Sequence, residues 1–292
     1  MHNECGLIGS LAVGFIVQFA AMDKACGAYL DGAEGIMAGS LPPPGQYFEN
    51  YSMYYRADES INFGYGVANI KLRECADLVR FVNVTDTEIL GGNWAQQIFV
   101  PFLRAEVSSD SRFIVPLRKT DTGLGNVIVD PFLVGWHRAP FHWLVGVDTY
   151  VPYYSNARTS SLTDMSDNYW TFEPFAGVTY RNEGGQELSA KLMYDFNTRC
   201  VDMDYTPGQA FHADYVAAQH FGPWTTGIGG YWYCQTTSDW RDDSPLARQV
   251  ALGPQVGYEY CALTFSLAWD HELNGQNRMQ GDRVWLKVII PL

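Results

Sequence analysis

The chain has 292 residues, 47% apolar, 15% aromatic and 17% charged, with a formal net charge of −13. A mean hydropathy of −0.14 excludes a bundle of membrane-spanning helices, and the acidic balance argues against nucleic acid or an anionic bilayer surface as a partner. No Pro/Gly/Ser-rich linker or break in composition divides the sequence, so a single folded domain is expected.

Leu7 to Ala21 is a mostly apolar run, too short to span a bilayer as a helix but the size of a signal-peptide core. Small residues at Ala25, Cys26, Gly27 and Ala28 suit a cleavage region, although Met1-His2-Asn3-Glu4 lacks the usual Lys or Arg. Residues 1–28 are therefore assigned to export, in a degraded, mis-started or uncleaved form. Residues 29–45 follow, ending in Leu41-Pro42-Pro43-Pro44-Gly45, and strands begin after them.

The remainder, 46–292, alternates apolar and polar residues. Strands are predicted at about 46–56, 76–90, 93–107, 124–139, 141–152, 169–181, 187–198, 208–221, 224–236, 248–260, 262–272 and 283–292. Leu188, Ala190, Leu192, Tyr194 and Phe196 share one parity against Ser189, Lys191, Asp195 and Asn197. Leu263, Phe265, Leu267 and Trp269 oppose Thr264, Ser266 and Asp270, and Val284, Leu286, Val288, Ile290 and Leu292 oppose Arg283, Trp285 and Lys287. Successive side chains of a strand point to opposite faces, so each segment has one apolar and one polar side.

The connections are of two kinds. Tight ones fall at Gly91-Gly92, Pro140, Asn182-Glu183-Gly184-Gly185, Gly222-Pro223 and Cys261. Long ones fall at about 57–75, 108–123, 153–168, 199–207, 237–247 and 273–282, and the two kinds alternate strictly. That is the rhythm of an all-β, transmembrane antiparallel β-barrel of about 12 strands, with short periplasmic turns and long external loops. An even strand number returns both ends of the barrel to the periplasmic side. Tyr54, Tyr55, Trp94, Trp143, Tyr153, Tyr154, Tyr169, Trp170, Trp224, Trp232, Tyr233, Tyr258, Tyr260 and Trp269 lie near strand ends, as two aromatic girdles at the headgroup level require. Aromatic packing in a soluble sheet is the competing explanation.

Asp58, Glu59, Asp164, Asp167, Asp202, Asp204, Asp239, Asp242 and Asp243 place carboxylates in the long loops. Loop solvation explains them better than cation bridges to lipopolysaccharide phosphates, because no loop has calcium-ligand spacing. The six cysteines, Cys5, Cys26, Cys75, Cys200, Cys234 and Cys261, match no zinc motif and no C-x-x-C. They are expected as unpaired small apolar residues, with a Cys75–Cys200 bridge left open. No metal or cofactor is predicted. His212 and Asp214, two apart on one strand face, have the spacing of a base and its orienting carboxylate. No nucleophile elbow or H-E-x-x-H accompanies them, so a polar luminal pair is favoured over a catalytic one.

The polar parity sends Glu173, Lys191, Asp195, His212, Asp214, Gln255, Glu259, Asp270 and Lys287 to the lumen as candidate lining of a transport path. His142, Asp148, Tyr150, Arg181 and His220 share that parity, as do the apolar Phe175, Met193, Val216 and Trp285. Both charge signs are present, so no strong anion or cation selectivity is expected. A barrel of this size leaves little open space once side chains fill it, which suits guided passage of a small apolar solute.

Several dispersed blocks resemble Gram-negative outer-membrane channels of the phenol-degradation (MetA-pathway) transporter family. They are Gly39-Ser40-Leu41-Pro42-Pro43-Pro44-Gly45-Gln46-Tyr47-Phe48, Val84-Thr85-Asp86-Thr87 with Ile89-Leu90-Gly91-Gly92, and Val129-Asp130-Pro131-Phe132 with Gly135-Trp136-His137. Further along come Ser189 to Asn197, Phe211-His212-Ala213-Asp214-Tyr215, Phe221-Gly222-Pro223-Trp224, and Asn277-Arg278 with Gln280-Gly281-Asp282. The resemblance covers roughly Glu34 to Leu292. It implies twelve strands, an N-terminal segment occluding the lumen, and passage of small hydrophobic molecules, often aromatic growth substrates. The cysteine number, the weak export segment and Leu292 in place of a final aromatic depart from the pattern.

Within that frame, residues 29–45 are expected to plug the lumen through Leu41, Pro42, Pro43, Pro44 and Gly45. The prolines favour an extended course and remove backbone donors from a confined space. The functional expectation is a monomeric outer-membrane channel for passive uptake of a small hydrophobic solute, surrounded by outer-membrane lipid and lipopolysaccharide and inserted by the barrel assembly machinery. A structural or adhesive barrel, or a lipid-modifying enzyme centred on His212 and Asp214, are the alternatives.

Overall fold

The computed structural model describes residues 30–62, 67–110, 117–152, 166, 168–200, 205–239 and 245–292. The export segment 1–28, Tyr153 and Tyr154 of the girdles, and the loop carboxylates Asp164, Asp167, Asp202, Asp204, Asp242 and Asp243 lie outside these residues. The described strands are β1 (Gly45–Asn62), β2 (Val67–Ile89), β3 (Gly92–Asp110), β4 (Leu117–Leu124), β5 (Val127–Arg138), β6 (Phe141–Val151) and β7 (Thr171–Arg181). They continue with β8 (Gln186–Asn197), β9 (Ala210–Phe221), β10 (Trp224–Gln235), β11 (Arg248–Tyr260), β12 (Leu263–Gln276) and β13 (Gly281–Pro291).

Every ladder is antiparallel, and β1 pairs with both β2 and β13, which closes the sheet. Both β4 and β5 pair with β3, so the break at Gly125-Asn126 interrupts one stave rather than adding a thirteenth. The result is a closed barrel of twelve staves. Tyr47 opposes Pro291, and Leu292 N–H donates to the Gln46 carbonyl at 2.9 Å, so the start and end of the barrel meet at one rim. The β1–β13 ladder removes the free sheet edges that a bilayer does not tolerate, while among the described strands the short β4 pairs with β3 alone.

Two predicted loops are largely strand. β1 runs on to Asn62 and β2 starts at Val67, while β3 reaches Asp110 and β4 starts at Leu117, so most of 57–75 and 108–123 is paired hairpin. These extensions carry polar residues on the outward side as well, for example Asp58, Lys71 and Arg73. Hydropathy alternation therefore fades there although hydrogen bonding does not. Cys75 sits in β2, opposite Tyr54 and Arg104, rather than in a loop. The four described cysteines form no disulfide with one another.

One parity of side chains is buried and the other exposed. Leu188, Leu192, Phe196, Ile228, Leu267 and Leu286 are exposed apolar residues spread around the wall, an apolar belt that only lipid accommodates. Tyr54, Trp170, Trp224, Trp232, Tyr260 and Trp269 also face outward. Tyr55, Tyr169 and Tyr233 do not belong to a girdle: all three are buried, and Tyr55 donates to Glu272 Oε2 at 2.9 Å. Tyr55 and Tyr233 lie near strand ends as the sequence sets them, but strand parity decides the face, and theirs is internal.

Candidate functional site: the barrel interior

Residues 30–44 hydrogen-bond to inward side chains on consecutive staves. Gly32 and Glu34 N–H donate to the two carboxylate oxygens of Asp214 on β9 at 2.9 and 3.0 Å. Met37 N–H donates to Glu187 Oε1 on β8 at 2.6 Å, and Gly39 N–H to Thr179 Oγ1 on β7 at 3.0 Å. A segment outside the ladders has donors to satisfy, and inward carboxylates and hydroxyls supply the acceptors. At Gly39 the approach is so close that a Cβ would lie 2.2 Å from the Val178 carbonyl carbon. Leu41 is buried with Val82, Leu133, Leu144, Phe175 and Met193, whereas Pro43, Pro44 and Gly45 are exposed. Gly45 is already the first residue of β1.

Charged groups fix the other end of this segment. Asp31 meets Arg278 at 3.0 Å, and its backbone carbonyl accepts from Arg283. Glu34 meets Lys287 at 2.8 Å and Arg80 at 3.4 Å, and Arg80 also reaches Glu49 at 3.0 Å. Burial raises the Asp31 carboxyl, but Arg278, His212 and Arg283 outweigh it and hold it at about 2. Burial likewise raises Glu34, and Lys287, Arg80 and Lys191 bring it down to about 2.

The residues expected in the lumen fall into groups. Glu173, Asp195 and His212 converge: His212 Nε2 lies 3.4 Å from both carboxylates, and Tyr150 donates to Glu173 at 2.9 Å. Lys191 reaches past its neighbouring stave to Asp148 on β6 at 3.7 Å and lies 4.4 Å from the centre of the Phe175 ring. Asp214 receives the backbone of residues 32 and 34, and Gln255 packs against Gly35. Lys287 holds Glu34, and Asp270 is buried beside Gly32. Glu259 is exposed at the end of β11 and borders the internal cavity.

His212 and Asp214 share a strand face, but His212 is surrounded by the carboxylates of Asp31, Glu173 and Asp195 instead of a hydroxyl nucleophile. The lipid-modifying arrangement finds no support in that geometry. The interior is also more acidic than the mixed set expected. Asp31, Glu34, Glu49, Asp130, Asp148, Glu173, Glu187, Asp195, Asp214, Asp270 and Glu272 are buried, against Lys191, Arg283 and His212, with Arg80, Arg278 and Lys287 slightly more open. Parity of β1, β2 and β13 predicts the inward course of Glu49, Arg80 and Arg283. No local pattern marks Asp31 or Arg278, whose partners lie across the barrel.

A cavity of about 320 Å³ remains between the segment and the wall. Ile36, Met37, Leu41, Leu133, Leu144 and Phe175 line it with apolar surface, and Arg80, Lys191, Glu34 and Lys287 line it with charge.

A closed barrel with a lipid-facing belt and a charged interior is the fold of an outer-membrane channel, and the outer membrane is its place. The chain belongs to the family described as the putative MetA-pathway of phenol degradation, whose model matches residues 60–288. It is similar in structure to the COG4313 outer membrane channel of Pseudomonas putida F1, with 14% identity and a TM-score of 0.72 over 87% of this chain and 97% of that one. The low-pH structure of Pseudomonas putida OprB aligns at 8% identity over 84% and 93% of the two chains, with a TM-score of 0.26. Pseudomonas aeruginosa OccK7 (OpdD) aligns at 9% identity over 85% and 99%, with a TM-score of 0.28. No curated protein matches the sequence.

Proposed function

We propose that the protein is a monomeric channel for passive uptake of small, mostly apolar molecules, aromatic compounds of the phenol class among them. The observation that carries this reading is the cavity of about 320 Å³, in which Leu41, Leu133, Leu144 and Phe175 form an apolar wall beside Lys191 and Arg80. A single aromatic ring fits a space of that size, its face against apolar side chains and a hydroxyl toward a cation. A bulk pore for sugars needs a wider, wetter lumen.

In this reading residues 30–44 are the plug, and the solute passes where Leu41 and Pro42 yield. Glu173, Lys191, Asp195, His212, Asp214, Gln255, Asp270 and Lys287 shape the path and anchor the plug, and Glu259 marks its mouth. Lipid and lipopolysaccharide surround the barrel, which the barrel assembly machinery inserts. Uptake of radiolabelled phenol into cells with and without the gene tests the function. Faster uptake with the gene is expected, with no gain for a labelled disaccharide. Equal phenol uptake in the two strains refutes the proposal.

A further inference from the structure

We propose that Glu173, Asp195 and His212 form an internal binding site for a divalent transition-metal ion of the zinc type. The three residues come from consecutive staves, β7, β8 and β9, and one donor atom from each lies within 4.8 Å of the other two. His212 Nε2 is 3.4 Å from Glu173 Oε2 and 3.4 Å from Asp195 Oδ1. Those separations are long for hydrogen bonds, which cluster at about 2.7–3.2 Å. They match the spacing of about 3.4 Å between two ligand atoms that each lie about 2.1 Å from a tetrahedral ion.

Three further features fit a metal. The other imidazole nitrogen, Nδ1, is buried without a hydrogen bond among the described residues and has Asp31 Oδ1 3.4 Å away, the kind of carboxylate to which a metal-bound histidine ordinarily turns its second N–H. Tyr150 occupies Glu173 Oε2, while Glu173 Oε1 is fully buried and has no hydrogen-bond partner. Finally, the interior holds more carboxylates than cations, so a divalent charge relieves repulsion there. Two carboxylates with a neutral imidazole make the site neutral when the ion binds. A nitrogen ligand in the set favours zinc-type ions over magnesium or calcium, which take oxygen.

The site has a mechanical consequence. An ion on Nε2 fixes the tautomer that leaves a proton on Nδ1, on the side of Asp31 Oδ1. Metal binding and docking of residues 30–44 therefore support one another. Nothing in the residue spacing announces this site, because its members are gathered by strand pairing.

The test uses the folded full-length protein in detergent, stripped with EDTA and titrated with ZnCl₂ by calorimetry. One tight ion per barrel is expected. His212→Gln and Glu173→Gln each weaken it at least 10-fold, and Asp31→Asn weakens it about 10-fold through its hold on the imidazole. Heat-modifiable gel mobility reports whether each variant is folded. The exposed pair His137 and His142, with Nδ1 atoms 2.9 Å apart, is the competing surface site, so His137→Ala/His142→Ala is expected to leave the tight site intact. If a luminal variant fails to fold, zinc-edge X-ray absorption on the unmutated protein decides: one nitrogen with oxygens supports the site, and two imidazoles refute it. Absence of stoichiometric zinc, or its loss in the His137→Ala/His142→Ala variant alone, also overturns the proposal.

Discussion

Single residues here answer to which side of a thin wall they occupy. Leu267 is exposed on the lipid side, while Thr264 lies along the internal cavity. Leu267→Arg puts an ion into hydrocarbon and is expected to destabilise the barrel by about 2–4 kcal/mol if it sits near the midplane. Thr264→Arg faces the lumen and is expected to cost distinctly less. Urea unfolding in liposomes measures both, and equal costs would reverse the assignment of faces. Glu34 presents a pH-dependent case. Its ordinary value of 4.5 is lowered to about 2 by Lys287 and Arg80 against the opposing effect of burial. A lowered carboxyl stabilises the docked form fully above 4.5, and that contribution is lost as pH falls toward 2. Glu34→Gln removes a partner from Lys287 and Arg80 and is expected to weaken docking by about 3 kcal/mol at pH 7. The gap between wild type and variant should close as pH drops from about 5 to about 2. A gap that persists at pH 2, read by single-channel conductance, would mean that Glu34 contributes packing rather than charge.

Among the elements, residues 30–44 contrast most with their surroundings. They form no ladder, yet their donors reach Asp214, Glu187 and Thr179 on three consecutive staves. A β-barrel closed by its own hydrogen bonds does not need them to stand. Deleting 34–44 is therefore expected to leave a folded barrel with higher conductance and weaker discrimination among solutes. Gly39→Val offers a smaller perturbation. Its side chain collides with the Val178 backbone, and Gly177 on the same stave would place any Cβ 2.8 Å from the Ala38 carbonyl. Neither backbone can retreat without breaking ladder bonds, so the segment should yield, giving conductance close to that of the deletion. Unchanged conductance in both folded variants would remove the segment from the permeation path.

For the whole molecule, closure sets the topology. Short turns at residues 182–185, 222–223 and 261–262 share one rim with the meeting point of β1 and β13. With Cys75 and Cys261 replaced by Ser to silence the two exposed thiols among the described residues, Ser60→Cys should react with an impermeant maleimide on intact cells. Gly184→Cys should react only after the outer membrane is permeabilised. Labelling of Gly184→Cys on intact cells would invert the barrel.

Alternation of side chains made the staves legible in the sequence: β7, β8 and β13 lie within a residue or two of their expected bounds, because one apolar face must meet lipid along the whole span. The same rule separated Lys191, Asp195 and His212 from Leu188, Leu192 and Leu267. It failed where the membrane ends, since β1 and β2 continue as a polar hairpin in which pairing persists without a hydropathy signal. It also failed at Tyr55 and Tyr233, where nearness to a strand end suggested a girdle but parity turned the rings inward. The partners inside the lumen were decided by the tertiary structure alone. Lys191 meets Asp148 two staves away, and His212 meets Glu173, Asp195 and Asp31 from three different segments. Alternation along a strand tells a side chain which face to take, but stagger between staves and the course of residues 30–44 determine which groups meet once the cylinder closes.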